Sequence, residues 1–256
     1  MIVHCGGDGV SDLYSVSICI PAYNEEENIA RVIEEAFSVI TTLTPYHEVV
    51  VVNDGSTDNT RKILDEAHTK YNNLVVLHHE RNAGIEPTLK TLFAHASKNY
   101  IFFISADRQF PMESLYLMYE KLGKGCDVVI GVKKNIRQVY TPFRLVVSFL
   151  YNFLILLFFG IRIKDAGGIK LARSKVWKMP VYSKSVFGDA ERIIRAYYAG
   201  CSIETVDVAI QPRLHGKGKG VSLPSILGSL KDLLHLFVVK RRVIKECEHL
   251  ALSKEQ

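Results

Sequence analysis

The sequence predicts an α/β fold in which a mostly parallel β-sheet is covered by helices on both faces. Three observations lead to this prediction. Short runs of β-branched and aromatic residues alternate with segments whose apolar residues recur at helical spacing. The clearest run, residues 49–52, is four consecutive valines, which is typical of a strand buried on both faces of a parallel sheet. Polar residues follow where each run stops, and ligands bind at this edge of open α/β sheets.

The first half of the chain carries the alternating elements. Five strands are expected, at residues 16–20, 49–52, 74–77, 100–104 and 127–131. Pro21 should break the first strand, and Asn24 should then cap a helix whose apolar positions form a buried face. Ser56, Thr57 and Asp58 offer caps for the second helix. Two further helices are expected at residues 87–97 and 112–122.

Composition limits the class of protein. With 256 residues the chain can bury a sizeable core, so we expect one large domain, or one domain with appendages. A formal net charge of +5 is too small to indicate nucleic-acid binding, and no nucleic-acid motif accompanies it. The five cysteines are scattered, which favours a reducing compartment over disulfides or structural zinc. We expect no signal peptide, because glycine and aspartate interrupt residues 1–14.

Two later segments are candidates for membrane contact. Residues 145–161 are strongly apolar over 17 positions, the lower limit for crossing a bilayer. Basic residues flank the segment, so it could instead lie along a membrane interface, or it could be a buried core helix. Residues 226–238 keep a helical apolar spacing and run into a basic cluster at 240–242. That pattern suits an anionic membrane surface, and equally suits packing against the domain or another subunit.

Polar and charged side chains gather where the predicted strands end. Carboxylates among them could hold a sugar, a base or a metal ion, and cations could hold phosphate. The chain has no phosphate-loop motif and no Ser/His/Asp order typical of acyl transfer. A Gly/Lys run at 216–220 indicates either a mobile basic loop that closes over an anion or a solvated surface loop. The strand-end residues are Pro21, Tyr23, Glu25, Asn53, Asp54, Arg81, Asn82, Asp107, Gln109 and Lys133.

Several ordered motifs resemble those of family 2 glycosyltransferases. They are Val-Ser-Ile-Cys-Ile-Pro-Ala-Tyr-Asn-Glu at 16–25, Val-Val-Val-Asn-Asp-Gly-Ser-Thr-Asp at 50–58 and Ser-Ala-Asp-Arg-Gln at 105–109. Later residues resemble the dolichol-phosphate mannose synthase branch of this family. They are Arg144 with Ser148 and Asn152, and the motifs at 165–170, 189–191, 195–200 and 211–213. The resemblance covers residues 15–222. It implies a GT-A fold, a Rossmann-like, mostly parallel sheet flanked by helices, with C-terminal amphipathic helices at a membrane interface.

The resemblance also implies roles for individual residues. A nucleotide-sugar would be bound by Pro21, Tyr23, Glu25, Val52, Asp54 and Lys133. A divalent cation, Mg²⁺ or Mn²⁺, would be held by Asp107 and Gln109. Phosphates of the acceptor lipid and of the donor would be bound by Arg144, Ser148 and Arg213. The catalytic residues would be Asp107, Asp189 and Arg213, with Asp189 and Glu191 facing the sugar.

Each of these roles has a simpler alternative. Asp54 could cap its own turn, and Glu25 could serve only the helix dipole. Asp189 and Glu191 could be no more than charges in the first turn of a helix. Arg144 could anchor a helix at a membrane. The residues alone leave these alternatives open.

The metal motif departs from the family pattern at Ser105, where the family normally has aspartate. A hydroxyl is a weaker ligand than a carboxylate for Mg²⁺ or Mn²⁺, so we expect lowered metal affinity or an altered donor preference. Asn53 is a milder change, because asparagine keeps one acceptor oxygen. Arg108 and Phe110 also replace common family residues, and both changes would reshape the donor pocket.

The resemblance implies an inverting enzyme that moves a sugar from a GDP- or UDP-sugar to a polyprenyl phosphate at the cytoplasmic face of a membrane. Residues 1–222, including the apolar helix at 143–161, would form the GT-A domain. Residues 223–256 would form an amphipathic helix with a basic cluster, and the apolar helices could supply a dimer contact. Two alternatives stay open: a glycan or protein acceptor, and a catalytically weak homologue that acts as a binding or scaffold subunit.

Overall fold

The computed structural model describes residues 14–211 and 222–252, with side chains through residue 248. Within these residues a single sheet contains β1 (Val16–Ala22), β2 (His47–Asn53), β3 (Leu74–His78), β4 (Tyr100–Phe103), β5 (Val128–Lys133), β6 (Lys170–Arg173) and β7 (Ile203–Val208). The strand order is β3-β2-β1-β4-β6-β5-β7. Neighbouring strands are parallel except around β6, which is antiparallel to both β4 and β5. The predicted mostly parallel sheet is therefore confirmed.

Helices cover both faces of this sheet. The described helices are α1 (Ile29–Leu43), α2 (Thr60–Lys70), α3 (Ile85–His95), α4 (Ser114–Leu122), α5 (Ile136–Val139), α6 (Pro142–Phe159), α7 (Ser174–Trp177), α8 (Gly188–Tyr198), α9 (Leu223–Val238) and α10 (Lys240–Leu252). Helices α1, α2 and α4 bury apolar residues in one core layer. Helices α3 and α6 to α10 do so in the other.

The valine run of β2 joins these two layers. Val49 and Val51 belong to the core under α1, whereas Val50 and Val52 belong to the core under α3. Successive side chains of a strand point to opposite faces, so a strand covered on both faces needs apolar residues at every position. This is why the four valines predicted the fold class correctly.

The sheet brings several strand ends to one edge. Strands β1, β2, β4 and β5 all end there, and β6 begins there because it runs in the opposite direction. Strand β1 lies between β2 and β4, so the direction of strand order reverses at β1. Ligands of open α/β sheets bind in the crevice at such a switch point.

The entry into α1 differs from the sequence prediction. Strand β1 continues through Pro21 to Ala22, and the helix starts only at Ile29. The missing N–H of Pro21 removes no ladder bond, because the pairing of β1 with β4 ends at Cys19. Asn24 is not the cap of α1. It has a positive φ of 54°, and its side chain accepts a hydrogen bond from the backbone of Thr57 at 2.9 Å.

The exposure of helix α6 excludes one of the three alternatives that its composition left open. It is 18 residues long with a mean hydropathy of 1.9, the one described helix that is long and apolar enough to cross a membrane. Only Ile155 and Phe159 of these residues are buried, so the alternative of a buried core helix is wrong. Six large apolar side chains of α6 are more than two-fifths exposed: Phe143, Val146, Phe149, Leu150, Phe153 and Leu157.

The C-terminal segment forms two helices rather than one. Helix α9 packs beside α6, and the rings of Phe237 and Phe158 lie 4.7 Å apart between centroids. The chain turns at Val239, and the basic cluster then begins α10. Helix α10 packs against α8, where Glu246 pairs with the buried Arg195 at 3.0 Å. The basic cluster therefore starts a docked helix instead of ending an amphipathic one.

Candidate functional site

A cavity of about 480 Å³ opens at the edge where the strands end. Its walls come from the ends of β4 and β5, the loop before β6, the first turn of α8, and the facing sides of α6 and α9. The described part of the chain brings six predicted site residues together in these walls: Asp107, Gln109, Lys133, Arg144, Ser148 and Asp189. Ser105 lies in the same walls. Because these residues are far apart in sequence, the fold itself assembles the site.

The turn after β4 supplies the carboxylate of Asp107 and the side-chain amide of Gln109. The carboxylate of Asp107 accepts a hydrogen bond from the backbone of Gln109 at 3.1 Å, which closes the turn. The hydroxyl of Ser105 faces the backbone N–H of Asp107 at 3.4 Å. Both Asp107 and Gln109 therefore face the cavity from one short, hydrogen-bonded turn.

The chemistry of this turn fits a divalent cation, although weakly. An aspartate, an amide oxygen and a hydroxyl are hard oxygen ligands of the kind that Mg²⁺ and Mn²⁺ prefer. They carry one negative charge between them, because Ser105 stands where a second carboxylate would double it. Across the described residues, no three His, Cys, Asp or Glu side chains form a metal-binding group. A cation here would therefore depend on oxygens from a bound ligand.

Lys133 lies in the cavity wall but is already paired. Its ammonium donates to both carboxylate oxygens of Asp165 at 2.8 Å, and both side chains are buried. Burial lowers the pKa of Lys133, the carboxylate of Asp165 opposes this, and the nearby Lys170 and Arg144 lower it further. The buried pair fixes the end of β5 to the loop before β6. Lys133 could contact a donor phosphate only while sharing its charge with Asp165.

Of the two cations in the described cavity walls, Lys133 and Arg144, it is Arg144 that makes the weaker contacts with the protein. Its guanidinium stacks on the ring of Tyr140 at 3.6 Å and donates to the Tyr140 hydroxyl at 3.1 Å. A longer contact of 3.4 Å joins it to the side-chain oxygen of Gln109. No ion pair to Arg144 occurs within residues 14–211 and 222–248. The wall thus presents a largely uncompensated positive charge beside Ser148, one turn further along α6.

Asp189 lies in the cavity wall and is paired with a buried lysine behind it. Lys170 is fully buried, and its ammonium bonds one oxygen of Asp189 together with the backbone oxygens of Ala166 and Gly168. The other carboxylate oxygen, Oδ1, is buried and has no hydrogen-bond partner within the described residues. Buried acceptors are rarely left without a donor. This oxygen is suited to accept a hydrogen bond from a hydroxyl group in the cavity.

Glu191 does not line the cavity, in contrast to the expectation that it faces the sugar. Its carboxylate accepts hydrogen bonds from the backbone of Tyr182 and from Ser183, and it pairs with Arg195 at 2.8 Å. Asp189 and Glu191 are two positions apart on a helix and therefore point in different directions. For Glu191 the simpler alternative, a structural charge, describes the geometry.

The residues predicted to bind the nucleotide lie along the neighbouring part of the same edge. Pro21 and Val52 are partners in the register of β1 and β2. Asp54 is 5% exposed and accepts hydrogen bonds from His79 and from the backbone N–H groups of Ala83 and Gly84, at 2.8 to 3.0 Å. Burial raises the pKa of Asp54, but these bonds outweigh it and the net pKa is lowered.

Asp54 therefore ties β2 to the loop before α3 in the described structure. The turn that follows it is held equally closely. Gly55 has a φ of +64°, and a Cβ atom there would lie 2.4 Å from the backbone of Arg81. Tyr23 and Glu25 follow β1 at the same edge, and Glu25 accepts a hydrogen bond from the side chain of Asn28 at 2.9 Å. None of these residues reaches the described walls of the 480 Å³ cavity.

Sequence reasoning assigned no role to two charged residues that shape the cavity. Asp165 and Lys170 belong to a motif that was noticed, but nothing in the sequence showed which carboxylate or lysine each would meet. The signal available in the sequence was the pair of glycines between them, because glycine marks a close approach of two backbone segments. A Cβ atom at Gly168 would lie 2.1 Å from the Gly131 oxygen of β5. Arg213 and the Gly/Lys run at 216–220 lie outside the described residues.

Comparison with known proteins identifies the class. The family model described as Glycosyl transferase family 2 matches residues 17–182, which is more than half of the chain. The chain therefore belongs to glycosyltransferase family 2, and the resemblance found in the sequence is confirmed.

Curated relatives match about half of the chain. An uncharacterized glycosyltransferase of Synechocystis sp. is 32% identical over 120 residues, 47% of this chain and 38% of that protein. The undecaprenyl-phosphate 4-deoxy-4-formamido-L-arabinose transferase of Klebsiella pneumoniae is 31% identical over 121 residues, 47% of this chain and 37% of that protein. The match thus spans less than two-fifths of the length of these relatives.

Solved structures extend the comparison to nearly the whole fold. Glucosyl-3-phosphoglycerate synthase from Mycobacterium tuberculosis, in complex with Mn²⁺, uridine diphosphate and glucosyl-3-phosphoglycerate, superposes with a TM-score of 0.67. The superposition covers 91% of this chain and 86% of that one, at 18% identity. This similarity confirms the predicted GT-A fold.

Proposed function

We propose that this protein transfers a sugar from a nucleotide-sugar to a polyprenyl phosphate at the cytoplasmic face of a membrane. The observation that carries the proposal is the composition of the cavity. Its walls combine the oxygen groups of Asp107 and Gln109 with Arg144 and Ser148 and with apolar side chains of α6 and α9. A site for a phosphate attached to a lipid needs such polar groups beside an apolar wall.

The donor half of the proposal rests on the turn after β4. Asp107 and Gln109 would hold Mg²⁺ or Mn²⁺ together with diphosphate oxygens, with Ser105 as a weaker neighbour. A divalent cation bound there would stabilise the negative charge that develops on the departing diphosphate. Support comes from the M. tuberculosis synthase of the same fold, which was solved with Mn²⁺ and uridine diphosphate.

The nucleotide would lie beside this turn, over the ends of β1 and β2. Pro21, Tyr23 and Glu25 line one side of the β1 end, and Val52 and Asp54 line the β2 end. With both oxygens of Asp54 held by protein donors, its part would be to fix the shape of the pocket floor. Lys133 would contribute to binding of the donor phosphates from the opposite side, with its charge balanced by Asp165. Arg213, outside the described residues, would complete the phosphate contacts.

The acceptor half rests on Arg144 and Ser148. A guanidinium binds a phosphate through paired hydrogen bonds, and Arg144 has no carboxylate competing for it in the described structure. Support for this acceptor comes from the K. pneumoniae relative, whose name gives undecaprenyl phosphate as part of its reaction. The apolar residues beyond Arg144 would then contact the first units of the lipid chain.

The reaction needs orientation more than proton removal. A phosphate monoester is already anionic at neutral pH, so its oxygen can attack the anomeric carbon without a general base. The attack would form the new carbon–oxygen bond, break the bond to the nucleoside diphosphate and invert the anomeric carbon. Arg144 would hold the attacking phosphate in place, which supplies much of the rate. Asp189 bonds Lys170 through one oxygen, and its other oxygen, which has no partner in the described residues, would orient a sugar hydroxyl.

The membrane contact would be made by the exposed apolar sides of α6 and α9. Residues 1–222 would carry the transfer chemistry, and residues 223–256 would contribute to this contact. Basic side chains follow both helices, with Arg162 and Lys164 after α6 and with Arg241 and Arg242 in the first turn of α10 after α9, and they would face anionic headgroups. The free, buried cysteines of the described residues suit the reducing side of the membrane. The same apolar surface could join two copies of the chain.

The donor half is tested by calorimetric titration of the full chain with UDP, GDP and the corresponding nucleotide-sugars, with and without Mn²⁺. We expect metal-dependent binding of one nucleotide class, and we expect Asp107→Asn to remove the metal dependence. Binding that is the same without Mn²⁺ would contradict the metal site and assign the phosphate charge to Lys133 and Arg213. No nucleotide binding at all would contradict the enzyme and favour a scaffold role.

A further inference from the structure

We propose that Arg108 and Glu35 act together as a positioning pair for the turn that carries Asp107 and Gln109. This inference rests on the proposed function, because it takes Asp107 and Gln109 as the ligands of the donor cation. Arg108 stands between these two residues, yet it is not part of the cavity wall. Its side chain leaves the turn on the other side and reaches helix α1.

The contact with α1 is a short ion pair. The Nη2 atom of Arg108 lies 2.7 Å from Oε1 of Glu35, and the two side chains are 14% and 29% exposed. A charge-assisted hydrogen bond in such a partly buried place is stronger than one between neutral groups. The same Glu35 oxygen also accepts from Arg31 at 3.0 Å, one turn earlier on the helix, where Arg31 is largely exposed. Because Arg31 is largely exposed, its pair with Glu35 contributes little, and the contact with Arg108 is the main one that holds Glu35.

The backbone of Arg108 shows why the turn needs such an anchor. Its φ is +56°, and in the described residues only Asn24 shares a positive φ among residues other than glycine. Side chains with a Cβ rarely adopt this conformation, which persists only where surrounding contacts hold it. The left-handed residue sends the side chains of Asp107 and Gln109 toward the cavity and its own toward α1. Losing the anchor would free the turn to relax.

The absence of a second carboxylate makes this positioning matter. With Ser105 in place of aspartate, the turn offers the cation one charged ligand, so affinity depends on how well Asp107 and Gln109 are oriented. Groups that orient metal ligands without touching the metal typically change metal affinity or activity 10- to 100-fold when they are removed. Arg108 is thus a positioning residue and not a catalytic one.

The test is a titration of Mn²⁺ followed by electron paramagnetic resonance on the full chain, with saturating UDP or GDP. Two variants break the pair: Glu35→Gln, which keeps the size of the side chain, and Arg108→Gly, which adopts a positive φ without strain. We expect each to weaken Mn²⁺ binding roughly tenfold. The double variant should bind no more weakly than the single ones, because both changes remove one interaction. Arg31→Gln, which leaves the pair intact, is the matched control and should bind as the wild type does.

Thermal melting of the same proteins separates positioning from unfolding. The inference predicts that Glu35→Gln melts close to the wild type while its Mn²⁺ affinity falls. Wild-type Mn²⁺ affinity in both Glu35→Gln and Arg108→Gly would overturn the positioning role and leave the proposed function standing. A wild-type protein that binds nucleotide but no Mn²⁺ would overturn the metal site and this inference together. The Mn²⁺ titration of the wild type therefore distinguishes failure of the proposed metal site from failure of the positioning role alone.

Discussion

Replacing Arg144 by alanine should weaken binding of a polyprenyl phosphate while leaving the fold and the donor site nearly unchanged. The guanidinium has only neutral partners in the described structure, the ring and hydroxyl of Tyr140 and the amide oxygen of Gln109. A hydrogen bond to a charged group contributes about 1.5 to 3 kcal/mol. Loss of the phosphate contact should therefore raise the KM for the lipid roughly 10- to 150-fold. The stacking on Tyr140 contributes about 0.5 to 1 kcal/mol, so the unfolding free energy should change by no more than that.

The assay is steady-state transfer to a short-chain polyprenyl phosphate in detergent at saturating donor. Arg144→Lys keeps the charge but loses the planar pair of donors, so its KM should lie between those of the wild type and Arg144→Ala. Arg81→Ala is the matched control, because Arg81 is an exposed cation at the same sheet edge outside the cavity walls. An unchanged lipid KM in Arg144→Ala would refute the assignment. So would an equal rise in the KM for the nucleotide-sugar.

Three further changes test the membrane surface, the β2 end and the loop before β6. Phe149 on α6 is 73% exposed, and Phe149→Asp should reduce binding to anionic lipid vesicles by about tenfold or more in a sedimentation assay. The reason is that burying a phenylalanine side chain contributes about 1.5 to 3 kcal/mol. The control is Tyr46→Asp, at a side chain that is 61% exposed before β2, which should not reduce vesicle binding. Asp54→Asn should lower the unfolding free energy at pH 7 by about 1 to 3 kcal/mol in urea denaturation. Because the folded pKa of Asp54 is lowered, its stabilisation is present above the ordinary value of 3.8 and should disappear in the wild type as the pH falls through the folded pKa. Gly168→Ala places a Cβ 2.1 Å from a β5 carbonyl oxygen and should lower the unfolding free energy by about 1 to 3 kcal/mol, whereas Gly167→Ala meets only ordinary contacts and should melt near the wild type.

The sequence predicted the parallel part of the fold because its signals are local. A run such as residues 49–52 is typical of a strand buried on both faces, and the turn residues after it mark the ligand edge. The strands after residue 131 gave no comparable signal. Strand β6 begins with Lys170, whose charge is acceptable in the core only because Asp189 and two backbone oxygens meet it. Strand β7, at the sheet edge, mixes polar and apolar residues without a regular alternation.

The candidate site was predictable as a set of residues and not as a geometry. Motif positions gave Asp107, Gln109 and Arg144, and the fold places them in one cavity, while their roles stay predictions. Ion pairs join residues that are distant in sequence, so pattern alone could not show that Lys133 meets Asp165. For the same reason, Asn24 looked like a helix cap, although its side chain instead bonds the turn after β2.

Sugar transfer to a polyprenyl phosphate is tested most directly with purified protein, radiolabelled UDP- and GDP-sugars, Mn²⁺ and a polyprenyl phosphate, followed by extraction with organic solvent. We predict that label from one nucleotide-sugar enters the solvent phase, that this requires the lipid phosphate, and that Asp107→Ala abolishes it. Label that stays in the aqueous phase, on a glycan or on protein, would contradict the lipid acceptor. Absence of any transfer, although the nucleotide-sugar binds, would contradict the assignment as a working transferase.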